Sequence, residues 1–493
     1  MWRTFGVAAL LLAACTRPNP RSCNDGLCTD PLFPYCDVNG TLGGERNECI
    51  AVSCPSDSFV SCEGNLEYRC NALGNNYVAT SCELGCSEAL AGCRLCEPNR
   101  TQCTNGSVAR CDERGDLVES RKCALGCFED LPRCRRILPS NGLSTYLDAL
   151  AEPPDLVLEN AYINTLTGAI TVDGQVIPTH PNYLAGNGSG PSIRVFVANN
   201  VRLRNVYVSS SQQEVVTGPA VAFVAKGTIT VAGRLVVEGS AGGVKDLACR
   251  GGLGILQSPN GVHGIIWASG SGGGGHATAG AAGGGANTYP GGAGGEATGN
   301  DSLEPLRGGC PAGGLVATDL NDVTTTYPLG SSGGGALQLA SELSIVVDGV
   351  IDARGAHGLY EHGPGVHSVS GGGAGGGILL EAPTVNLTEN ARLIAKGGGG
   401  AAAAEPPDET DDGSASLGTV CPGACGDGGN GATAQAPAMA GEPYSLASGS
   451  HRTAGAGGGG LGRVRINTAD ATYTKSNAAI EAARVTAGLL RTR

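Results

Sequence analysis

Of the 493 residues, 82 are glycine, and 60 of those glycines fall between Gly239 and Gly462. Chain so poor in side chains cannot bury apolar surface in the ordinary way. It is either open linker or chain packed backbone against backbone. The glycines come in clusters such as Gly272–Gly275 and Gly457–Gly460 with no three-residue sequence period, which excludes collagen. Aromatic residues make up only 4% of the chain, too few for one conventional core. A net charge of -13 with five lysines excludes the broad basic face that a nucleic-acid partner requires.

Short β-branched runs alternate with the glycine-rich stretches. Three of them, 220–241, 336–357 and 377–399, each carry three pairs of apolar residues at alternate positions. In the first these are Ala222/Val224, Ile229/Val231 and Leu235/Val237; in the second, Leu337/Leu339, Ile345/Val347 and Ile351/Ala353. In the third they are Ile378/Leu380, Val385/Leu387 and Leu393/Ala395. Alternation with period two predicts strands with one buried face, and turns such as Ala232-Gly233 and Asp348-Gly349 separate the pairs. Three short strands per repeat predict stacked coils of a right-handed parallel β-helix over 155–476, with further coils near Ile193–Val208 and Val464–Val485. A β-sandwich with glycine-rich hairpin loops is the alternative. The long insertions, roughly 240–335, 356–376 and 400–461, would leave the coil at its turns and lie outside it. Cys249 and Cys310 can pin the first, and Cys421 and Cys425 can close a small ring in the third. Residues 477–493 have helical spacing and are expected to cap the column.

The first 135 residues have a different texture. Met1–Thr4 with one positive charge, the apolar run Phe5–Ala14 and then Cys15 have the layout of an export signal. Ten apolar residues are too few to span a membrane as a helix. Beyond Cys15 an even number of cysteines remains, dense enough between Cys23 and Cys134 to predict a disulfide framework in an oxidising compartment. Cys54, Cys62, Cys70, Cys82, Cys86 and Cys93 are matched by Cys96, Cys103, Cys111, Cys123, Cys127 and Cys134, the last five at a constant offset of 41 and only the first spacing differing by one, so two units, 54–94 and 95–135, are expected to share one pairing pattern. Each is expected to hold a hairpin, with Leu66-Glu67-Tyr68 and Tyr77-Val78-Ala79 as its arms in the first. Residues 15–53, with Cys23, Cys28, Cys36 and Cys49, form a smaller module, and 136–154 reads as a linker. A zinc site at the CxxC of Cys93 and Cys96 is disfavoured, because the pair straddles two repeats and no histidine precedes His180.

Two resemblances follow from these residues. Leu12-Ala13-Ala14-Cys15 resembles the lipobox of bacterial lipoproteins, which implies lipidation of the Cys15 thiol, cleavage before it (leaving 1–14 as signal peptide) and membrane attachment through the lipid. Thr16 at the next position is similar to an outer-membrane signal, so the expected location is the cell envelope, facing the surface or the periplasm. The repeated coils followed by Val347–Gly355 resemble pectin-lyase-like β-helix proteins, some of which cleave polysaccharides. That resemblance implies an architecture; no catalytic residue carries over from it. Cleavage by hydrolysis needs two convergent carboxyls. Asp348 sits in a turn, Asp352 points outward, and nothing in the sequence sets a second acid beside either.

The remaining candidate sites have bland readings. His357, His362 and His367 with Glu361 read as solvated loop residues in preference to a metal site. Asp408–Gly413 is similar to the start of a calcium loop, but Thr419 stands where the closing glutamate belongs. Gly330–Gly334 fits GxSxG without the strand-to-helix elbow that gives the motif meaning. Exposed aromatics that would favour sugar processing are limited to Trp267, Tyr289, Tyr327, Tyr360 and Tyr444. The sequence therefore points to a non-catalytic surface lipoprotein with a structural, adhesive or binding role. It carries no cofactor, and its partner is the membrane, with extracellular polysaccharide or a surface protein as a further contact. A surface-anchored carbohydrate-active enzyme is the alternative.

Overall fold

The computed structural model describes residues 21–23, 26–178, 180–210, 218–243, 248–257, 266–318, 324–363, 366–402, 417–421, 425–444, 451–482 and 484–493. The chain is mainly β and divides into two units, Met1–Arg135 and Arg136–Arg493.

In the first unit the two cysteine repeats pair identically. Cys54–Cys70, Cys62–Cys86 and Cys82–Cys93 in one correspond to Cys96–Cys111, Cys103–Cys127 and Cys123–Cys134 in the other. The four-cysteine module is closed by Cys23–Cys36 and Cys28–Cys49. The expected hairpin is present as Leu66–Cys70 against Tyr77–Ser81, with Phe59–Glu63 added on the other side. The second repeat builds the same sheet from Thr101–Thr104, Ser107–Cys111 and Leu117–Lys122. Half-cystines dominate the buried side chains of this unit, so the crosslinks stand in for an apolar core.

The second unit stacks strands in three parallel ladders. The first runs through Ile193–Ala198, Ala220–Ala225, Ala336–Ser341, Gly377–Glu381, Arg463–Thr468 and Arg484–Leu489. The second follows the early half of Val201–Ser209 through Thr228–Val231, Ser344–Val347, Thr384–Leu387 and Thr474–Lys475. The third follows its later half through Arg234–Val237, Val350–Asp352, Arg392–Ile394 and Ala479–Glu481. Leu156–Asn164 lies parallel to Val201–Ser209, while antiparallel strands at Ile170–Val172 and Asn182–Ala185 make the sheets mixed.

Apolar residues from all three ladders meet in one core. Ile229, Val231, Leu235, Val237, Ile345, Val347, Ile351, Val385, Leu387 and Leu393 belong to it, as the alternation predicts. The bend between the second and third ladders is filled by left-handed Asn160 and Asn205, whose side chains hydrogen-bond at 3.1 Å, and then by glycine. A Cβ on Gly349 would stand 2.2 Å from the carbonyl oxygen of Gly233, so that corner excludes any side chain.

Four expectations need correction. In the first repeat the core takes Val221 and Phe223, paired with Leu337 and Leu339, and not Ala222 and Val224. The strand is apolar at every position and buried on both faces, so its period carries no register. The described residues of 477–493 form no helix: Ala479–Glu481 and Arg484–Leu489 extend two ladders, because the exposed strand edges below them offer unpaired backbone groups that a helix would leave unmet. The segment 136–154 is not a linker but part of the second unit, burying Ile137, Leu143 and Leu147 completely. Asp352 does point away from the core, yet it is buried, in ion pairs with Arg234 at 2.9 Å and Arg354 at 2.7 Å.

All three long insertions leave after the third ladder and return at the first, and their glycine runs pack together. Hydrogen-bond direction in these runs rotates with a period of three residues. Gly372 and Gly375 donate to Gly457 and Gly460; Gly373 and Gly376 donate to Ala356 and Ala353; Ala374 donates to Cys310. Ala454, Gly457 and Gly460 likewise donate to Ala268, Ser271 and Gly274. Three residues per turn without internal hydrogen bonds is the geometry of polyproline II, here built largely of glycine. The bonds left unmade within each run are therefore made between runs, as backbone packing requires. Cys249–Cys310 and Cys421–Cys425 close as expected.

Candidate functional site

The first ladder has a second buried face. Its outward side chains include Gln338, Glu381 and Asn467, and the segment Leu138–Leu147 lies across them. Glu381 is fully buried and accepts four hydrogen bonds. Ser140 donates from its backbone N–H at 3.0 Å and its hydroxyl at 2.8 Å, Gln338 Nε2 donates at 2.6 Å, and Asn467 Nδ2 donates at 3.0 Å. Asn467 reaches it because the two residues are register partners on adjacent strands. Burial pushes the Glu381 carboxyl above the usual range, and the four donors recover only part of that cost.

Local chain geometry sets up this cover. Asn141 and Gly142 are both left-handed, which turns the chain so that Asn141 bridges three elements. Asn141 Nδ2 donates to Gln338 Oε1 at 3.0 Å and to the Leu303 carbonyl at 3.2 Å, and its Oδ1 accepts from the Leu306 N–H at 3.0 Å. Outside it opens a cleft of about 590 Å³, lined among others by Pro139, Asn141, Ser144, Asn187, Glu304 and Arg491. Arg491 Nη2 donates to Ser140 Oγ at 3.0 Å and to Glu304 Oε1 at 2.6 Å. A polar relay thus runs from the cleft through Arg491 and Ser140 to Glu381. The cleft offers amides, hydroxyls and one ion pair, a set suited to holding hydroxylated ligands. Glu304 is occupied by Arg491, and Glu381 is screened by Ser140.

The residues singled out in the sequence do not converge here. Cys15 and Asp408–Gly413 lie outside the described residues. His357 is buried with both ring nitrogens against carbonyls, Gly358 at 2.9 Å and Leu417 at 2.8 Å, so neither nitrogen faces a ligand. His362 and His367 are register partners in the hairpin of Tyr360–Gly363 and Val366–Val369, which also contains Glu361. Asp348 lies in an exposed turn and accepts from Thr388 Oγ1 at 2.6 Å and Asn390 Nδ2 at 3.1 Å. The motif serine of Gly330–Gly334 is Ser332, half-buried in a glycine run with no strand-to-helix elbow around it, and its neighbour Ser331 is buried and donates to the Gly371 carbonyl. Tyr289 and Tyr444 pack together against Ala286 and Ala454. Two clusters with metal-like spacing, Cys23/Cys28/Cys49 and Glu67/Cys82/Cys93, contain cysteines already joined in disulfides, which leaves no thiolate for a metal. The Glu381 network escaped sequence reasoning because Ser140 and Glu381 stand 241 positions apart. No protein-family model, no curated protein and no solved structure matches this chain.

Proposed function

We propose that the chain is a surface lipoprotein of the bacterial cell envelope with a structural and binding role that does not involve catalysis. Cys15 carries the lipid, and the cysteine-rich repeats follow it as a crosslinked spacer. The three ladders are the sheets of a right-handed parallel β-helix, to each of which every coil gives one strand; the parallel pairing of repeat with repeat supports this reading over a sandwich, whose neighbours pair antiparallel. The observation that carries the functional reading is the glycine layer. Three insertions that could have been loose loops are tied to one another by backbone hydrogen bonds, which makes the body a stiff scaffold. The cleft beside Arg491 is the surface offered to a polysaccharide.

Metabolic labelling with a fatty-acid analogue, followed by protease treatment of intact cells, tests the anchor. Wild type should take up label and be cleaved from outside; equal label in Cys15→Ser would overturn the lipid assignment. Incubating the purified protein with acidic and neutral polysaccharides tests the rest. Retention without release of new sugar ends is expected, and catalytic release would overturn the non-catalytic reading.

A further inference from the structure

A second polar cluster lies where the glycine layer meets the first ladder. His276 is wholly buried, and its Nδ1–H donates to the Gly375 carbonyl at 2.8 Å. That bond makes Nε2 the acceptor nitrogen of a neutral ring, and Nε2 has no hydrogen-bond partner. The buried Nε atoms of Arg307 and Arg463 are also without one. Arg463 Nε stands 3.5 Å from Asp301 Oδ1, close enough for attraction but not aligned as a hydrogen bond. Arg484 Nη1 takes the other Asp301 oxygen at 2.6 Å. Two guanidinium groups therefore share the Asp301 carboxylate, and Arg307 adds a third cation beside Arg463, in a protein whose net charge is -13.

Gly299 marks the opening. It is exposed and left-handed, and a Cβ placed on it would stand 3.1 Å from Arg463 Nη1, 3.4 Å from Arg307 Cδ and 3.7 Å from His276 Nε2. Glycine thus puts no side chain between solvent and two cations and one acceptor, of which Arg463 Nη1 also donates to the Thr298 carbonyl.

We propose that His276, Arg307 and Arg463 bind a phosphate group that carries a proton. The arginines donate to its anionic oxygens, and its P–OH donates to His276 Nε2. Sulfate has the same shape and charge class but no proton at neutral pH, so it would set a bare oxygen against the lone pair of His276. The site should therefore separate two anions that a simple basic patch treats alike. Burial and the two neighbouring arginines hold His276 neutral, which preserves the acceptor.

The test is calorimetric titration and thermal unfolding of the mature protein near pH 6, where a phosphoryl group of second pKa about 6 still carries its proton in part. The probes are inorganic phosphate, a sugar phosphomonoester, sulfate and chloride at matched ionic strength. Phosphate should bind and raise Tm, with sulfate at least about tenfold weaker. Arg307→Gln should weaken phosphate binding at least about tenfold while leaving the ligand-free Tm near wild type, since the Arg307 Nε makes no hydrogen bond to lose. Response to the monoester as well as to the free ion would extend the site to phosphorylated glycans; response to the free ion alone would assign it to inorganic phosphate. Equal responses to phosphate and sulfate, no response to either, or a phosphate response that survives Arg307→Gln would overturn the proposal.

Discussion

A Cβ on Gly373 would stand 1.8 Å from the carbonyl oxygen of Ser332, a distance no side chain tolerates. The contact joins two insertions, so the absence of a side chain at one position lets two segments about forty residues apart share a hydrogen-bonded layer. Gly373→Ala should therefore cost about 2–3 kcal/mol or more, because backbone on both sides must move. Gly186, with open space where its Cβ would go and no left-handed backbone, is the control. Gly186→Ala should stay within about 0.5 kcal/mol of wild type. Urea unfolding of the three proteins makes the comparison, and equal losses would refute the packed layer.

The apolar column gives a second test. Val347 is fully buried in the shared core, while Ser344 in the same strand faces out and hydrogen-bonds Thr228 Oγ1 at 3.0 Å. Val347→Asp should cost roughly 4 kcal/mol or more, since it places an unpaired charge among stacked apolar layers. Ser344→Asp loses one half-exposed hydrogen bond and should cost about 1 kcal/mol or less. Thermal melts that fall equally for both would mean that the inward and outward faces are exchanged.

His276 predicts a pH dependence. Burial first, then Arg463, with Arg307 adding to it, pushes its imidazole from 6.5 down to about 3. Between those values the unfolded chain binds a proton that the folded chain refuses, so stability held at neutral pH is lost as pH falls below 6.5. The slope from this group approaches roughly 1.4 kcal/mol per pH unit. Denaturant unfolding from pH 7 to 4.5, above the range in which Asp301 titrates, should show that slope in wild type and a shallower one in His276→Gln. Parallel curves would remove His276 as the cause.

Disulfide mapping provides a fourth. Proteolysis without reduction should release Cys62–Cys86 and Cys103–Cys127 as equivalent linked peptides, and no thiol among Cys54 to Cys134 should alkylate before reduction. Different partners in the two repeats would show that near-equal spacing does not impose equal pairing.

The sequence exposed those features whose physics is local. The cysteine duplication is visible because disulfide geometry constrains spacing, and pairs such as Ile229/Val231 and Val385/Leu387 are visible because a polar residue, Thr230 or Asn386, separates them. Ala220–Ala225 hid its register because both faces are covered, one by the core and the other by a segment about eighty positions upstream. The strand Arg484–Leu489 was masked by a helical spacing that an unfilled sheet edge overrode. The two polar clusters were beyond reach for a different reason. Glu381 with Ser140, and His276 with Arg307 and Arg463, come together only once the insertions and the cover segment are in place. No periodicity in a glycine run announces which of its residues will meet a distant arginine.

The threefold rotation of the glycine runs has an evolutionary corollary. Losing one residue from Gly372–Gly376 would turn every later amide in the run toward the wrong neighbour. Losing three would return each amide to its own neighbour, one pitch of about 9 Å further along at about 3.1 Å per residue. These runs thus possess a reading frame at the level of the polypeptide. Lineages descended from this chain should shorten or lengthen them in multiples of three, while outward residues such as Ala279, Ala282 and Ala293 drift without penalty.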